Sequence, residues 1–89
     1  MALQLEILTP TRIVMTGAVD EVHIPGVLGE VEILPQHTSF ASTLGLGRVV
    51  YRQGSQSTTV NITGGVVTVD NDRVTLLVDK VVDDLNISS

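Results

Sequence analysis

The chain has 89 residues and a formal net charge of −5, with 43% hydrophobic and 17% charged residues. This length allows one domain, and the composition is typical of a folded protein rather than a disordered one. Five scattered Lys and Arg residues and 2% aromatic residues argue against nucleic acid or an anionic lipid surface as a partner.

Short runs rich in β-branched residues recur along the chain, separated by Gly, Pro, Asn and Asp. Apolar and polar residues alternate within the runs; in the first, Leu3, Leu5 and Ile7 share one face. In chain order the predicted strands are Leu3–Leu8, Arg12–Met15, Val19–Ile24, Glu30–Leu34, Arg48–Arg52, Ser57–Thr63, Val66–Val69 and Arg73–Val78, with Thr38–Leu44 left ambiguous.

The turns between these runs indicate the fold class. Residues 53–56 and 70–72 are short polar turns, and each predicts a hairpin. Nine or ten short strands with a period of two predict an all-β fold, an antiparallel β-sandwich or flattened barrel of about ten strands. We therefore expect a sandwich domain over residues 1–82 and a short tail over 83–89.

The end of the chain carries one helical pattern. Val78, Val81, Val82 and Leu85 follow a spacing of i, i+3, i+4 and i+7. This spacing allows a short helical stub at the C-terminus. It fits equally well a last strand that continues into a tail.

The stretch GEVEILPQH, residues 29–37, is the main candidate for chemistry. Glu30 and Glu32 would lie on one face of a strand, about 7 Å apart. Together with His37 they could divide acid and base roles if their surroundings separated their pKa values. The solvated face of an ordinary strand carries the same pattern, and no aromatic wall is available nearby. An enzyme is therefore an alternative that these residues do not favour.

The sequence supports a metal site or a catalytic nucleophile no better than it supports an acid/base site. His23 and His37 could bind a metal with Glu30 or Asp20, but no pair has the short spacing typical of metal ligands. The chain contains no Cys, no Gly-x-Ser-x-Gly sequence, and no lysine next to Gly45–Gly47. We predict no catalytic residue, no metal and no cofactor.

Proline and glycine pairs have a conformational explanation. Gly64 and Gly65 suggest a turn or bulge with positive φ or close backbone approach. Pro25 and Gly26 begin, and Pro35 ends, the loops that flank the predicted strand after residue 29. These five residues are predicted to be structural.

The sequence gives no sign of membrane insertion. Residues 1–12 lack a basic region followed by an apolar run, and no apolar stretch approaches the roughly 20 residues that span a bilayer. The lack of cysteine suits a reducing compartment. We expect a soluble product that can attach to a membrane-embedded partner.

Six blocks of residues, taken in order, resemble a known family. They are Leu5–Pro10, Gly17–Val22, Ile24–Gly26, Gly29–His37, Thr63–Val69 and Val74–Asp79. The family is the ε subunit of the F-type ATP synthase, called δ in mitochondria, and the resemblance covers its N-terminal β-sandwich domain. The most specific block is Gly-Glu followed by Ile-Leu-Pro-x-His.

The resemblance implies a fold and a role. The fold would be a ten-stranded β-sandwich, and the protein a non-catalytic rotor subunit in the central stalk. It would clamp the γ subunit and rest on the loops of the membrane c-ring, on the cytoplasmic side of the bacterial inner membrane, and be monomeric alone. The family's pattern places Leu28, Gly29 and Glu30 against the c-ring, and Thr9, His37 and Ser42 against γ, with Pro35 stiffening the loop between the two contacts.

The chain departs from the family in two ways. Many relatives have glycine where this chain has Glu32 and Gln36, which could alter the local twist. Most relatives also continue into a C-terminal helical hairpin, which inhibits ATP hydrolysis and in some cases binds ATP. The resemblance implies that the present polypeptide, lacking that hairpin, neither inhibits in this way nor binds ATP.

A generic acidic β-sandwich that binds another protein or a carbohydrate is the competing hypothesis. It explains the composition and the periodicity equally well, but it does not predict the ordered blocks. A carbohydrate module would need an aromatic platform, and the chain offers only Tyr51 and Phe40.

Overall fold

The computed structural model describes residues 2–82, which form ten β-strands and no helix. No membrane-spanning helix therefore occurs within this range. The strands are β1 Leu3–Leu8, β2 Ile13–Val19, β3 Glu21–Gly26, β4 Gly29–Ile33, β5 Phe40–Leu44, β6 Gly47–Gln53, β7 Gln56–Ile62, β8 Gly65–Asp70, β9 Arg73–Val78 and β10 Val81–Val82.

The strands form one strongly curled sheet with the order β10-β7-β6-β3-β5-β8-β9-β1-β2, and β4 pairs with β3. β3 and β5 are joined by a single residue pair, Gly26 with Leu44. The sheet turns over at this pair into two layers, β4-β3-β6-β7-β10 and β5-β8-β9-β1-β2. The predicted ten-stranded all-β sandwich is confirmed.

One pairing differs from the predicted antiparallel arrangement. β1 and β9 run parallel, with Leu5 opposite Val74 and Ile7 opposite Leu76. Alternation of apolar and polar residues is the same in parallel and antiparallel strands. The sequence pattern therefore could not reveal the direction of this pair, which joins the first strand to the ninth.

The core consists of the inward faces of both layers, and the described residues bury no polar or charged side chain. The alternation predicted for the first strand is confirmed, because Leu3, Leu5 and Ile7 are buried and Gln4 is exposed. Tyr51 is the one aromatic residue in this core. The buried hydrophobic residues are Leu3, Leu5, Ile7, Val19, Val22, Ile24, Ile33, Leu44, Val49, Tyr51, Ile62, Val67, Val69, Val74, Leu76 and Val78.

Both predicted hairpins are confirmed. β6 and β7 are joined through Gly54 and Ser55, and Gly54 has a φ of 64°. β8 and β9 are joined through Asn71 and Asp72, which have φ values of 51° and 62°. Two consecutive residues with positive φ match the right-handed twist of the flanking strands.

The boundary predicted at Gly17 is wrong. β2 does not break there, because Gly17 pairs with Leu5 inside the ladder, and the strand continues to Val19. The C-terminal pattern allowed either a helical stub or a last strand; Val81 and Val82 form a strand, β10, which pairs with Ile62 and Asn61 of β7. The rest of the suggested helical stub and the predicted tail, residues 83–89, lie outside the described residues.

Candidate functional site

The hairpin between β3 and β4 brings together the residues predicted to face the c-ring. Gly26 pairs with Gly29, so Val27 and Leu28 form a two-residue loop. Leu28 is 102% exposed and Val27 is 65% exposed, and Glu30 follows at the start of β4. The hairpin thus presents two apolar side chains and one carboxylate to solvent.

Pro25 and Gly26 shape this hairpin, but they lie within strand β3 and not in the loop that the sequence predicts. Pro25 and Gly26 do not begin a loop; both lie in β3, and Pro25 pairs with Glu30. Proline is tolerated there because its nitrogen points away from β4, while its carbonyl oxygen accepts a hydrogen bond from Gly45 N at 2.7 Å. A Cβ on Gly26 would lie only 2.7 Å from the carbonyl oxygen of Gly29.

Leu46 is a further exposed apolar residue near this hairpin. It lies in the connection from β5 to β6 and is 70% exposed. The connection rests on the hairpin, since a Cβ on Gly47 would lie 2.9 Å from Pro25 Cβ. The sequence pattern does not predict an exposed role for Leu46, because residues 45–47 resemble only an incomplete phosphate loop. An apolar residue between two turn glycines was the available clue. We call Val27, Leu28 and Leu46 the tip surface.

A cleft of about 560 Å³ lies beside the hairpin, between β4 and β5. Ser42 and Thr43 of β5 line one side, and Val31 and residues 26–30 line the other. Ser42, predicted to face γ, is therefore next to the residues predicted to face the c-ring. A partner entering this cleft would contact both groups.

His37 lies in a turn that follows β4. His37 N donates to Leu34 O at 3.2 Å, and Pro35 and Gln36 are the central residues. Gln36 has a φ of 68°, the conformation that a type II turn requires at this position. Its N–H donates to Asp72 Oδ1 at 2.6 Å, which holds the turn against the β8–β9 hairpin. The His37 ring lies 5.2 Å from the ring of Phe40.

Thr9 caps the turn that follows β1. Thr9 Oγ1 accepts hydrogen bonds from Thr11 N at 3.3 Å and from Arg12 N at 3.2 Å. The residue also lines a shallow apolar groove of about 340 Å³ that contains the exposed side chains of Val66 and Leu77. This groove is a second apolar surface that the sequence did not indicate.

The three residues predicted to face γ do not form one patch. Gln4 N donates to Asp72 O at one end of β1, and Leu8 pairs with Leu77 at the other end. His37, near Asp72, and Thr9, after Leu8, are thus separated by most of a strand length, roughly 17 Å by the rise per residue. Ser42 lies between these ends, in the middle of β5.

A cluster of carboxylates surrounds His23 on the outer face of β3 and β4. His23 Nε2 lies 3.4 Å from Glu21 and 3.7 Å from Glu32, and Nδ1 lies 3.8 Å from Glu30. His37 does not join this cluster. Glu21, His23 and Glu32 offer three ligand atoms within 4.8 Å of one another, one fewer than the four protein ligands of structural zinc sites. The side chains of Glu30 and Glu32, the proposed acid and base, are 67% and 49% exposed, so neither has the buried environment that separates acid and base roles.

Asp20, the other predicted metal-ligand candidate, has a structural partner. Arg52 Nη1 lies 3.4 Å from Asp20 Oδ2, and the same oxygen accepts a hydrogen bond from Gly54 N at 2.7 Å. Arg52 Nη2 also lies 3.6 Å from Glu21 Oε1. These contacts tie the start of β3 to the β6–β7 hairpin.

The chain is similar in sequence to a family of ATP synthase subunits. Residues 2–84 match the family described as the β-sandwich domain of the ATP synthase delta/epsilon chain. The ATP synthase epsilon chain of Nitratidesulfovibrio vulgaris (strain Miyazaki F) is 40% identical over 79 residues, which are 89% of this chain and 59% of that protein. The epsilon chain of Synechococcus sp. (strain RCC307) is 39% identical over 79 residues, covering 89% of this chain and 58% of that one.

Solved structures share the fold. A chain of the Euglena gracilis mitochondrial ATP synthase (OSCP/F1/c-ring) superimposes with a TM-score of 0.86 at 19% identity, covering 91% of this chain and 52% of that one. A chain of the central stalk and c-ring of the Tetrahymena thermophila enzyme gives 0.80 at 16% identity, covering 93% and 67%. The chain spans less than three fifths of the two bacterial relatives it matches. The chain belongs to the ATP synthase delta/epsilon family and matches its β-sandwich domain.

Proposed function

We propose that the chain is a non-catalytic rotor subunit of an F-type ATP synthase, which links the γ subunit to the membrane c-ring and couples ion translocation to ATP synthesis. Membership of the delta/epsilon family supports this role. The observation that carries it is the tip surface, where three apolar side chains are held in solvent beside a rigidly packed sandwich. Apolar residues grouped in this way are typical of an interface.

The contacts are assigned as the family resemblance implies. Leu28, Gly29 and Glu30 face the c-ring loops, where Leu28 supplies apolar burial and Glu30 sets the register. Thr9, His37 and Ser42 face γ, so that γ extends along the length of the domain. The protein acts by attachment alone and needs no cofactor or metal.

The proposed location follows from these partners. The subunit is peripheral to the membrane, on the cytoplasmic side of the bacterial inner membrane, and isolated it is a monomer. Its net charge of −5 keeps it from anionic lipid, so the c-ring and not the bilayer holds it in place.

Binding to γ tests the proposal. The γ subunit of the same organism is co-expressed with this chain, and the affinity is measured by calorimetry. We expect a one-to-one complex that is weakened by His37→Ala and by Ser42→Arg, because both remove complementarity at the γ face. Ser57→Arg places the same charge on an exposed serine of β7, in the other layer, and should leave binding unchanged.

A different result would favour the competing function. If no complex forms at micromolar concentrations, the family and fold stand, and the chain is an acidic sandwich with another protein partner. If Ser57→Arg weakens binding as much as Ser42→Arg, the assignment of the γ face is wrong.

A further inference from the structure

Strand β4 has an open edge. It pairs with β3 on one side, and no other strand of residues 2–82 pairs with its second side. Across the cleft, β5 pairs with β8 and meets β3 only where Leu44 lies opposite Gly26. The two layers are therefore unjoined along this side, and the 560 Å³ cleft separates them.

The register of the hairpin shows which backbone groups face this cleft. Gly26 and Gly29 flank a two-residue loop and form a hydrogen-bonded pair. Since such pairs alternate with non-hydrogen-bonded ones, Glu30 and Glu32 direct their N–H and C=O groups away from β3. Pro25, opposite Glu30, agrees with this register, because it has no N–H to donate and its carbonyl oxygen accepts from Gly45.

The side chains of β4 divide by face and by chemistry. Glu30 and Glu32 lie on the outer face, where together with Glu21 they surround His23 within 3.8 Å. Ile33 on the opposite face is buried, and Val31 packs against the core. A strand added next to β4 would meet carboxylates on one face and apolar groups on the other.

We propose that the open edge of β4 binds, through backbone hydrogen bonds, an extended segment of a partner protein in which Lys or Arg alternates with apolar residues. The basic side chains would lie beside Glu30 and Glu32. The apolar side chains would enter the cleft beside Val31 and close the side of the sandwich. This inference goes beyond the proposed function, because it does not depend on which subunit supplies the segment.

The charges select this occupant over a second copy of the chain. Antiparallel pairing of two β4 strands would place glutamates of one copy opposite those of the other, which is destabilising. Charged side chains on an edge strand also discourage pairing between identical chains. The site therefore favours a basic segment of another protein.

The peptide acetyl-Lys-Val-Lys-Val-Lys-amide tests the proposal. It is titrated into the 15N-labelled chain while amide chemical shifts are recorded. We expect saturable shifts centred on the amides of Glu30 and Glu32, and binding about fivefold weaker in the Glu30→Gln/Glu32→Gln variant, from the loss of two cross-strand charge pairs. Glu6→Gln/Asp79→Asn removes the same charge elsewhere and should bind normally.

A second variant separates backbone pairing from charge. Glu32→Pro removes the outward N–H and should abolish the shifts, whereas Glu32→Gln retains part of the binding. If the proline variant does not fold, as judged by its melting curve, the glutamine variants decide the question.

Three results would overturn the proposal. They are equal binding of a peptide with Glu in place of Lys, shifts confined to another edge such as β2, and no shift at millimolar peptide. Each of these leaves the γ-binding experiment unaffected, so failure here is distinguishable from failure of the rotor assignment.

Discussion

At Gln36 the backbone adopts a conformation that suits glycine better than glutamine. Its φ of 68° is held by the turn from Leu34 to His37 and by the bond to Asp72. We predict that Gln36→Gly raises the free energy of unfolding by about 0.5–1 kcal/mol, since the left-handed strain is removed.

Urea denaturation measures this change. Gln36→Ala serves as the control, because it keeps a Cβ in the same conformation and should not gain stability. A glycine variant that is less stable than the natural chain would show that the contacts of the glutamine side chain outweigh the backbone strain.

Gly65 is limited by space as well as by conformation. Its φ is 146°, and a Cβ there would clash with the carbonyl oxygen of Leu77 and lie 2.7 Å from Val78 Cα. We predict that Gly65→Ala lowers the free energy of unfolding by more than about 2 kcal/mol, because β8 must separate from β9.

The matched control is Gly54→Ala, in the β6–β7 hairpin. Gly54 has a φ of 64°, but a Cβ there would have open space around it, so only conformational strain of about 1 kcal/mol is expected. Thermal melting of both variants distinguishes them. Equal losses would mean that the close approach at Gly65 relaxes easily.

At the scale of elements, the β3–β4 hairpin contains both a residue of the core and a residue of the proposed contact surface. The Leu28 side chain does not pack in the core, since it is fully exposed, whereas Ile24 on the same hairpin is buried. We predict that Leu28→Ser changes the free energy of unfolding by less than about 0.5 kcal/mol. Ile24→Ser should cost at least about 3 kcal/mol, because it leaves a cavity and a buried hydroxyl. Chemical denaturation of both variants checks this, and a large loss in Leu28→Ser would contradict the exposed tip.

The strands that alternation marks clearly could be predicted from the sequence. The first, Leu3–Leu8, and the ninth, Arg73–Val78, have the predicted bounds, because polar turns end them and one face is buried. The strand boundaries predicted at Gly17 and Pro25 are wrong, since β2 continues through Gly17 and β3 continues through Pro25. Both are accommodated by long-range pairing, with Leu5 in one case and with Glu30 in the other, and a local pattern does not contain that information.

The candidate site was predictable in part. The family resemblance singled out Leu28 and Glu30, and the structure places both at the end of one hairpin. Leu46 was missed because it comes close to the hairpin only through the turn of the sheet at Gly26 and Leu44. The open edge of β4 could not be predicted either, because an edge is a property of the strand order.

For the whole molecule, the two layers and their apolar core form a compact body, and the edge of β4 is one of its open edges. The β3–β4 hairpin carries the open edge of β4 together with two residues of the tip surface, Val27 and Leu28. A rotor subunit needs this combination of a stiff body and an exposed contact. The described residues extend 39 Å along the longest axis, with a radius of gyration of 12.3 Å.

Restoration of coupled ion pumping tests the rotor role most directly. Membranes that contain the ATP synthase of the same organism are depleted of the subunit that corresponds to this chain. The chain is then added back, and ATP-driven ion pumping is recorded. We expect the natural chain to restore pumping, and Leu28→Ser to fail although it folds normally. Ile13→Ser, which changes another exposed apolar residue, on β2, should restore it. Full pumping with Leu28→Ser, or none with the natural chain, would contradict the account.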